Sequence, residues 1–200
     1  ARINLDELEE YEQNIRTEVN PKYAEIKESI RVQGITNQLS VTKHPITRMY
    51  IPFAGGNTRI RILKELFAET GDIKYKNLDV VVMPFTDHRS LLINHYVENE
   101  LRGDVSFWEK ANGVARITAA IATEHDRITT ASDVQKFAKT KGLNLSLGVL
   151  NLYLFVTSKL TPIGPWLEFK STQVLLSPTW YALEKICKLS GIGNSDYFAA

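Results

Sequence analysis

Gly55-Gly56-Asn57-Thr58-Arg59 is the stretch of this chain best suited to chemistry. Two glycines separate an apolar run, Tyr50-Ile51-Pro52-Phe53, from a helical pattern, Ile60 to Leu66. A strand that turns into a helix this sharply leaves backbone N–H groups pointing outward. The helix N-terminus adds partial positive charge, so the turn suits a phosphate or another anion. Arg59 and Arg61 bring full charges, and guanidinium geometry matches phosphate oxygens. About forty residues later comes Glu98-Asn99-Glu100-Leu101-Arg102. A carboxylate and an amide oxygen there suit a hard cation beside phosphates, with Arg102 adding charge. Each stretch also has a plainer reading. Glycine alone can serve a tight β-to-α turn, and mixed charges are common at a solvated helix end.

A third constellation surrounds Gly142. Helix, short glycine-containing turn and helix is the spacing of a helix-turn-helix, near 131–156, and equally of an ordinary corner between two packed helices. The candidate recognition helix, Ser146 to Tyr153, carries no Lys or Arg. Base reading falls to Ser146 and Asn151, and phosphate anchoring to Lys136, Lys139, Lys141 and Lys159. His44, His88, His95 and His125 share no metal-ligand spacing. Trp108, Trp166 and Trp180 sit in helical patterns and are expected in the core. No G-x-S-x-G, H-E-x-x-H or Walker A motif occurs.

The elements that must position these groups can be read from caps and periodicity. Residues 3–16 form a short strand and an extended lead-in. Asn20 and Pro21 open a helix with Tyr23, Ile26 and Ile30 on one face, and Gly34 stops it. Leu39-Val41 and Tyr50–Phe53 are strands joined by a turn at 44–48. A helix runs from about Thr58 to Ala68. Leu78 to Met83 is a β-branched strand expected to be buried. Asp87 caps a helix whose apolar side holds Leu91, Leu92, His95 and Tyr96. From Ser106 onward helix signals dominate: one from Phe107 with Val114, Ile117 and Ile121; one capped by Thr130 or Ser132; one from Ser146 to Val156; and one from Ser177-Pro178 to Leu189. A boundary near Gly103-Asp104 divides an α/β half, 1–103, from a helical half, 104–200. The fold class is α+β.

Composition bounds the partners. The chain has 200 residues, 44% apolar and 24% charged, with a formal net charge of +1. A nucleic acid must therefore meet a local patch rather than bulk charge. Cys187 is the single cysteine, which excludes an internal disulfide and argues against a cysteine-based metal site. No apolar run approaches the roughly 20 residues that span a bilayer. The N-terminus is not a signal peptide and does not begin with Met, so a fragment of a longer, cytoplasmic protein is the expectation.

With these parts in place, the chain resembles the ParB/RepB partition-protein family over residues 3 to about 160. Asn14-Ile15-Arg16 resembles that family's Asn-Pro-Arg lead-in, and Ser29 to Leu39 its stretch in which a helix ends at glycine before Gln-Pro. Gly56-Asn57-Thr58-Arg59-Ile60-Arg61 resembles its Gly-Glu-Arg-Arg-x-Arg box, with Asn57 and Thr58 in place of Glu and Arg. Glu98-Asn99-x-x-Arg102 matches its Glu-Asn-x-x-Arg box. The resemblance implies a ParB/sulfiredoxin-like α/β domain followed by an all-α helix-turn-helix domain. It implies DNA binding for partition or maintenance of a chromosome, plasmid or mobile element. It also implies CTP with Mg²⁺ as cofactor, closing a homodimer clamp on DNA, with slow hydrolysis reopening it. A ParA-type ATPase partner and association with the nucleoid follow from the same resemblance.

Carried over residue by residue, Gly34 and Gln38 line the base or sugar side. Gly55, Gly56, Asn57, Thr58, Arg59 and Arg61 hold the triphosphate. Glu98 and Asn99 position metal and water, Glu98 being the catalytic candidate, with Arg102 beside them. Sulfiredoxin shares the first domain's fold, but Asn57 stands where that enzyme has its cysteine, and an amide cannot do thiolate chemistry. The alternatives are a non-catalytic ParB-fold regulator that binds DNA or protein, and a ParB-like nuclease.

Overall fold

The computed structural model describes residues 1–17, 19–103, 105–125 and 129–191, with the side chains of Arg102, Glu124 and His125 outside that description. Four strands form one mixed sheet in the order β1-β4-β2-β3, where β1 is Arg2–Asn4, β2 Leu39–Lys43, β3 Tyr50–Pro52 and β4 Asn77–Met83. β4 lies antiparallel to β1 (Ile3 opposite Leu78) and parallel to β2 (Val41 opposite Val82). β2 and β3 make a hairpin with Val41 opposite Pro52.

One face of the sheet is covered by α1 (Tyr23–Gln33) and α2 (Asn57–Thr70). Alternation along β2 and β4 sends Leu39, Val41, Leu78 and Val80 into a core with Ile30, Ile60, Leu63 and Leu66. The expectation of a fully buried β4 fails for the same reason. Val81 points away from that core, to the face the two helices leave open, and is 42% exposed. Val82, on the core side near the end of the strand, is 43% exposed.

α3 (His88–Arg102) opens at Asp87, whose carboxylate accepts the Ser90 N–H at 2.9 Å. It packs on α4 (Phe107–His125), and α4 packs on α6 (Leu147–Lys159), with α5 (Ala131–Thr140) alongside. Leu91, Leu92, Ile93 and Tyr96 of α3 share a core with Val114, Ile117, Leu150 and Val156. The boundary expected near Gly103 thus falls between two helices of one cluster. Tyr11, Ile15 and Ile51 join that cluster too, so the N-terminal segment and the hairpin hold the two halves together.

α5 and α6 are joined by residues 141–146. Thr130 caps α5 and Ser146 caps α6, each accepting a first-turn N–H. After α6, a 3-10 turn at Thr161–Trp166 leads to α7 (Phe169–Ser171). α7 runs through a wide π turn, Thr172–Leu176, into α8 (Ser177–Leu189). Ser177-Pro178 therefore lies inside a continuing helix rather than opening one. Leu176 and Ser177 are already helical, and proline fits the helical φ. Trp166, expected in the core, is 79% exposed. No helix of the described residues is long and apolar enough to cross a membrane.

Candidate functional site

The β3–α2 turn is built on two left-handed glycines, Gly55 (φ +59°) and Gly56 (φ +115°). Gly56 is the N-cap of α2 and brings no side chain to cap it. The first-turn N–H groups of α2 therefore have no side-chain cap at Gly56. Gly55 is different. Its N–H donates to His95 Nδ1 at 3.3 Å, while His95 Nε2 donates to the Pro52 carbonyl at 2.9 Å. His95 is thus neutral and bridges both ends of the turn from α3. Burial lowers its pKa to about 4. Nothing in its spacing marked His95; the only hint was a titratable ring inside an apolar helix face.

Glu98, one turn further along α3, lies directly over Gly55. A Cβ at Gly55 would collide with its carboxylate. Gly56 follows Gly55 and lines a groove of about 550 Å³ between α1, the 34–38 loop and the N-terminus of α2. Gly34, Gln38, Thr58 and Arg59 line it as well, with Lys22 and Glu25 on its α1 side. That volume is in the range of small-ligand sites. Arg59 Nη1 donates to the Asn37 carbonyl at 2.8 Å and so braces the loop. A second cleft of about 610 Å³ lies against the same loop, bounded by Lys74, Tyr75 and Asp79.

Several expected site residues are placed elsewhere. Arg61 turns away from the groove and grips Glu10 with two bonds, Nε at 3.1 Å and Nη2 at 2.6 Å. Residues two apart on a helix point about 200° apart, so Arg59 and Arg61 do not converge on one anion. The Asn57 amide is spent on the Tyr11 backbone: its Oδ1 accepts the N–H and its Nδ2 donates to the carbonyl, both at 2.9 Å. Asn99 is buried. Its Nδ2 donates to the His95 carbonyl at 2.7 Å and to Asn14 Oδ1 at 3.3 Å. Arg102 closes α3, and its side chain lies outside the described ones.

Of the two residues expected to hold a metal, Glu98 is the one whose carboxylate fits a phosphate-bound Mg²⁺, and Glu25 is the carboxylate that lines the groove itself. Mg²⁺ needs just one or two carboxylates when phosphates supply the rest. Among the described residues no group of three His, Cys, Asp or Glu side chains could hold a metal.

On the helical half, Lys136, Lys139 and Lys141 are exposed on and just after α5. Asn151 is exposed on α6, while Ser146 Oγ accepts the Val149 N–H at 3.2 Å. Lys159 is set apart from them: its Nζ lies 3.7 Å from Glu184 of α8 and 5.9 Å from the Trp180 ring.

Mixed sheet, two covering helices and trailing helical bundle together define a ParB N-domain fold. The Pnob8-like ParB-N domain superposes with a TM-score of 0.66 at 13% identity, covering 98% of this chain and 85% of that one. A structure of the pNOB8-like ParB N-domain gives 0.60 at 16% identity, covering 94% and 75%. The C-terminally truncated chromosome-partitioning protein ParB from Caulobacter crescentus, complexed with CTP-gamma-S, gives 0.42 at 19% identity over 86% and 89%, too loose a superposition to transfer positions. By sequence, no protein family and no curated protein matches.

Proposed function

We propose that this chain is a ParB-like, DNA-associated protein of partition or maintenance whose α2 groove takes a nucleoside triphosphate. The observation that carries the reading is convergence. Gly34 and Gln38 come from one segment and Gly56, Thr58 and Arg59 from another, and together they line one groove at a helix N-terminus without a capping side chain. Glu98 stands beside it over Gly55. Amides and a guanidinium suit the phosphates. The 34–38 loop is the wall left for sugar and base, and the resemblance of the motifs favours cytidine. Mg²⁺, when bound with the nucleotide, offsets phosphate charge, and Glu98 is the carboxylate that would hold it.

DNA binding is the second half of the proposal. Its support is the exposed trio Lys136, Lys139 and Lys141 beside the α5–α6 turn, with Asn151 exposed on α6. The reading that competes is a ParB-fold regulator that binds DNA or protein without nucleotide. The Arg61–Glu10 pair favours it, since it withdraws one of the two expected phosphate ligands.

Titration of the chain with CTP, UTP, ATP and GTP, each with Mg²⁺, tests the choice. Saturable binding of one triphosphate, lost on Arg59→Ala, supports the nucleotide site. No binding of any of the four leaves the regulator.

A further inference from the structure

Backbone hydrogen bonds along β4 can be followed residue by residue. Val80 exchanges both of its bonds with Ala1, and the Lys76 carbonyl accepts the Leu5 N–H, all across the edge that faces β1. Successive residues of a strand turn their backbone groups to opposite edges. Asn77 and Asp79 therefore turn theirs to the edge where β2 lies. β2 joins that edge only at Leu39, opposite Val80. Before Leu39 the chain belongs to the 34–38 loop and pairs with no strand.

A gap is left in the sheet beside Asn77, Leu78 and Asp79. It is the cleft of about 610 Å³, walled by the 34–38 loop and lined underneath by Ile30, Leu39, Leu63 and Leu78, all buried in the core. Among the described residues, no group bonds the Asn77 N–H, the Asn77 carbonyl or the Asp79 N–H on that edge. The Asn77 carbonyl and the Asp79 N–H are neighbours along it. The cleft thus offers one acceptor beside one donor, next to an apolar floor.

We propose that this cleft takes an adenine-type base, a flat ring with an amino group beside a ring nitrogen. The amino group donates to the Asn77 carbonyl, and the ring nitrogen accepts the Asp79 N–H. The ring lies against the aliphatic side chains, in the mixture of apolar lining and few polar groups that small-molecule sites use. A peptide strand does not suit the gap. β2 continues its line from Leu39, so only Asn77, Leu78 and Asp79 are open along it, fewer residues than a usual strand pairs. A free phosphate does not suit it either: the Asp79 side chain stands at the edge, and Lys74 is paired with Asp72 at 3.3 Å. The cleft shares the 34–38 loop with the α2 groove but neither Thr58 nor Arg59. A base held here needs no triphosphate, so the inference stands or falls without the nucleotide of the groove.

Adenosine, which has no phosphate, is the probe, and the amide resonances of the isotope-labelled chain are the readout. The expected result is a saturable downfield shift of the Asp79 amide proton as it gains a hydrogen bond. Inosine carries a carbonyl and an N–H where adenosine has the amino group and the bare nitrogen, so both contacts are reversed. Its affinity should be at least about tenfold lower. Asp79→Pro removes the N–H at the cleft and leaves the β1 ladder intact, because Asp79, opposite Arg2, turns its backbone groups away from β1. Adenosine binding should be lost in that variant, with circular dichroism matching the parent. If Asp79→Pro does not fold, the comparison of adenosine with inosine still decides. The inference is overturned by an Asp79 amide that does not respond to millimolar adenosine, by equal binding of inosine, or by undiminished binding in a folded Asp79→Pro. Shifts confined to Gly56 and Thr58 also overturn it, and place the nucleoside in the α2 groove.

Discussion

The Glu98 carboxylate occupies the space that a side chain at Gly55 would need. This relationship joins two motifs that lie far apart in the chain. It explains why the first glycine of the pair must be glycine beyond its dihedral angle. It also separates two kinds of site residue, those that face the groove and those that hold the turn in shape.

Gly55→Ala is expected to cost about 1–2 kcal/mol from its left-handed backbone. The flexible end of Glu98 must also swing aside. Mg²⁺-dependent nucleotide binding should fall as far as in Glu98→Ala, and the double variant should fall no further. Full additivity in binding isotherms of the three variants would show that the two positions act separately.

Arg59 and Arg61 should behave differently although both are arginines of one box. Arg59→Ala is expected to weaken triphosphate binding by about 1.5–3 kcal/mol, the worth of a charge-assisted hydrogen bond. Arg61→Ala should leave binding nearly unchanged and cost under about 1 kcal/mol in stability, as a half-exposed ion pair with Glu10 does. Calorimetric titration and thermal melts of both variants check this. Equal losses of affinity would mean that Arg61 leaves Glu10 when ligand binds.

Stability should depend on pH through His95. Burial holds its native pKa at about 4, against 6.5 for the free side chain. Between those values the unfolded chain carries the extra proton, so stability climbs as pH rises from about 4 to about 6.5 and levels off above. The full effect is about 3 kcal/mol. Urea denaturation at a series of pH values should show this slope, and His95→Gln should flatten it. An unchanged slope in that variant would assign the pH dependence to other groups.

Asn57→Ala should destabilise the fold rather than the site. It leaves the buried N–H and carbonyl of Tyr11 without the partners they now have. The expected cost is about 2–4 kcal/mol. A near-neutral result in chemical denaturation would show that solvent reaches that backbone.

DNA affinity should fall steeply with salt. Replacing Lys136, Lys139 and Lys141 by alanine is expected to reduce the slope of log K against log salt by roughly 0.9 for each phosphate that a lysine no longer neutralises. Lys159→Ala should leave the slope alone, since Lys159 faces Glu184 on α8. Fluorescence anisotropy over a salt series measures both. A flat response of the unaltered chain would remove DNA from the proposal.

Short-range signals were enough for the order of elements. Asp87 and Thr130 cap the helices expected of them, and Gly34 and Gly71 end α1 and α2; α1 itself begins at Tyr23, after a turn at Pro21-Lys22, rather than at the Asn20-Pro21 cap expected. Caps and periodicities act within a turn or two of chain, so they survive in a single sequence. The glycine turn as a helix start was legible for the same reason. The partner of each side chain was not. Asn57 meets Tyr11 across 46 residues, Gly55 meets His95 across 40, and Arg61 meets Glu10 across 51. No local pattern encodes such pairings, because they arise only when the N-terminal segment and α3 close around the turn. The exposed sides of Val81 and Trp166 and the continuous α7–α8 helix belong to the same class: periodicity says that a face is apolar, but only packing decides whether anything covers it.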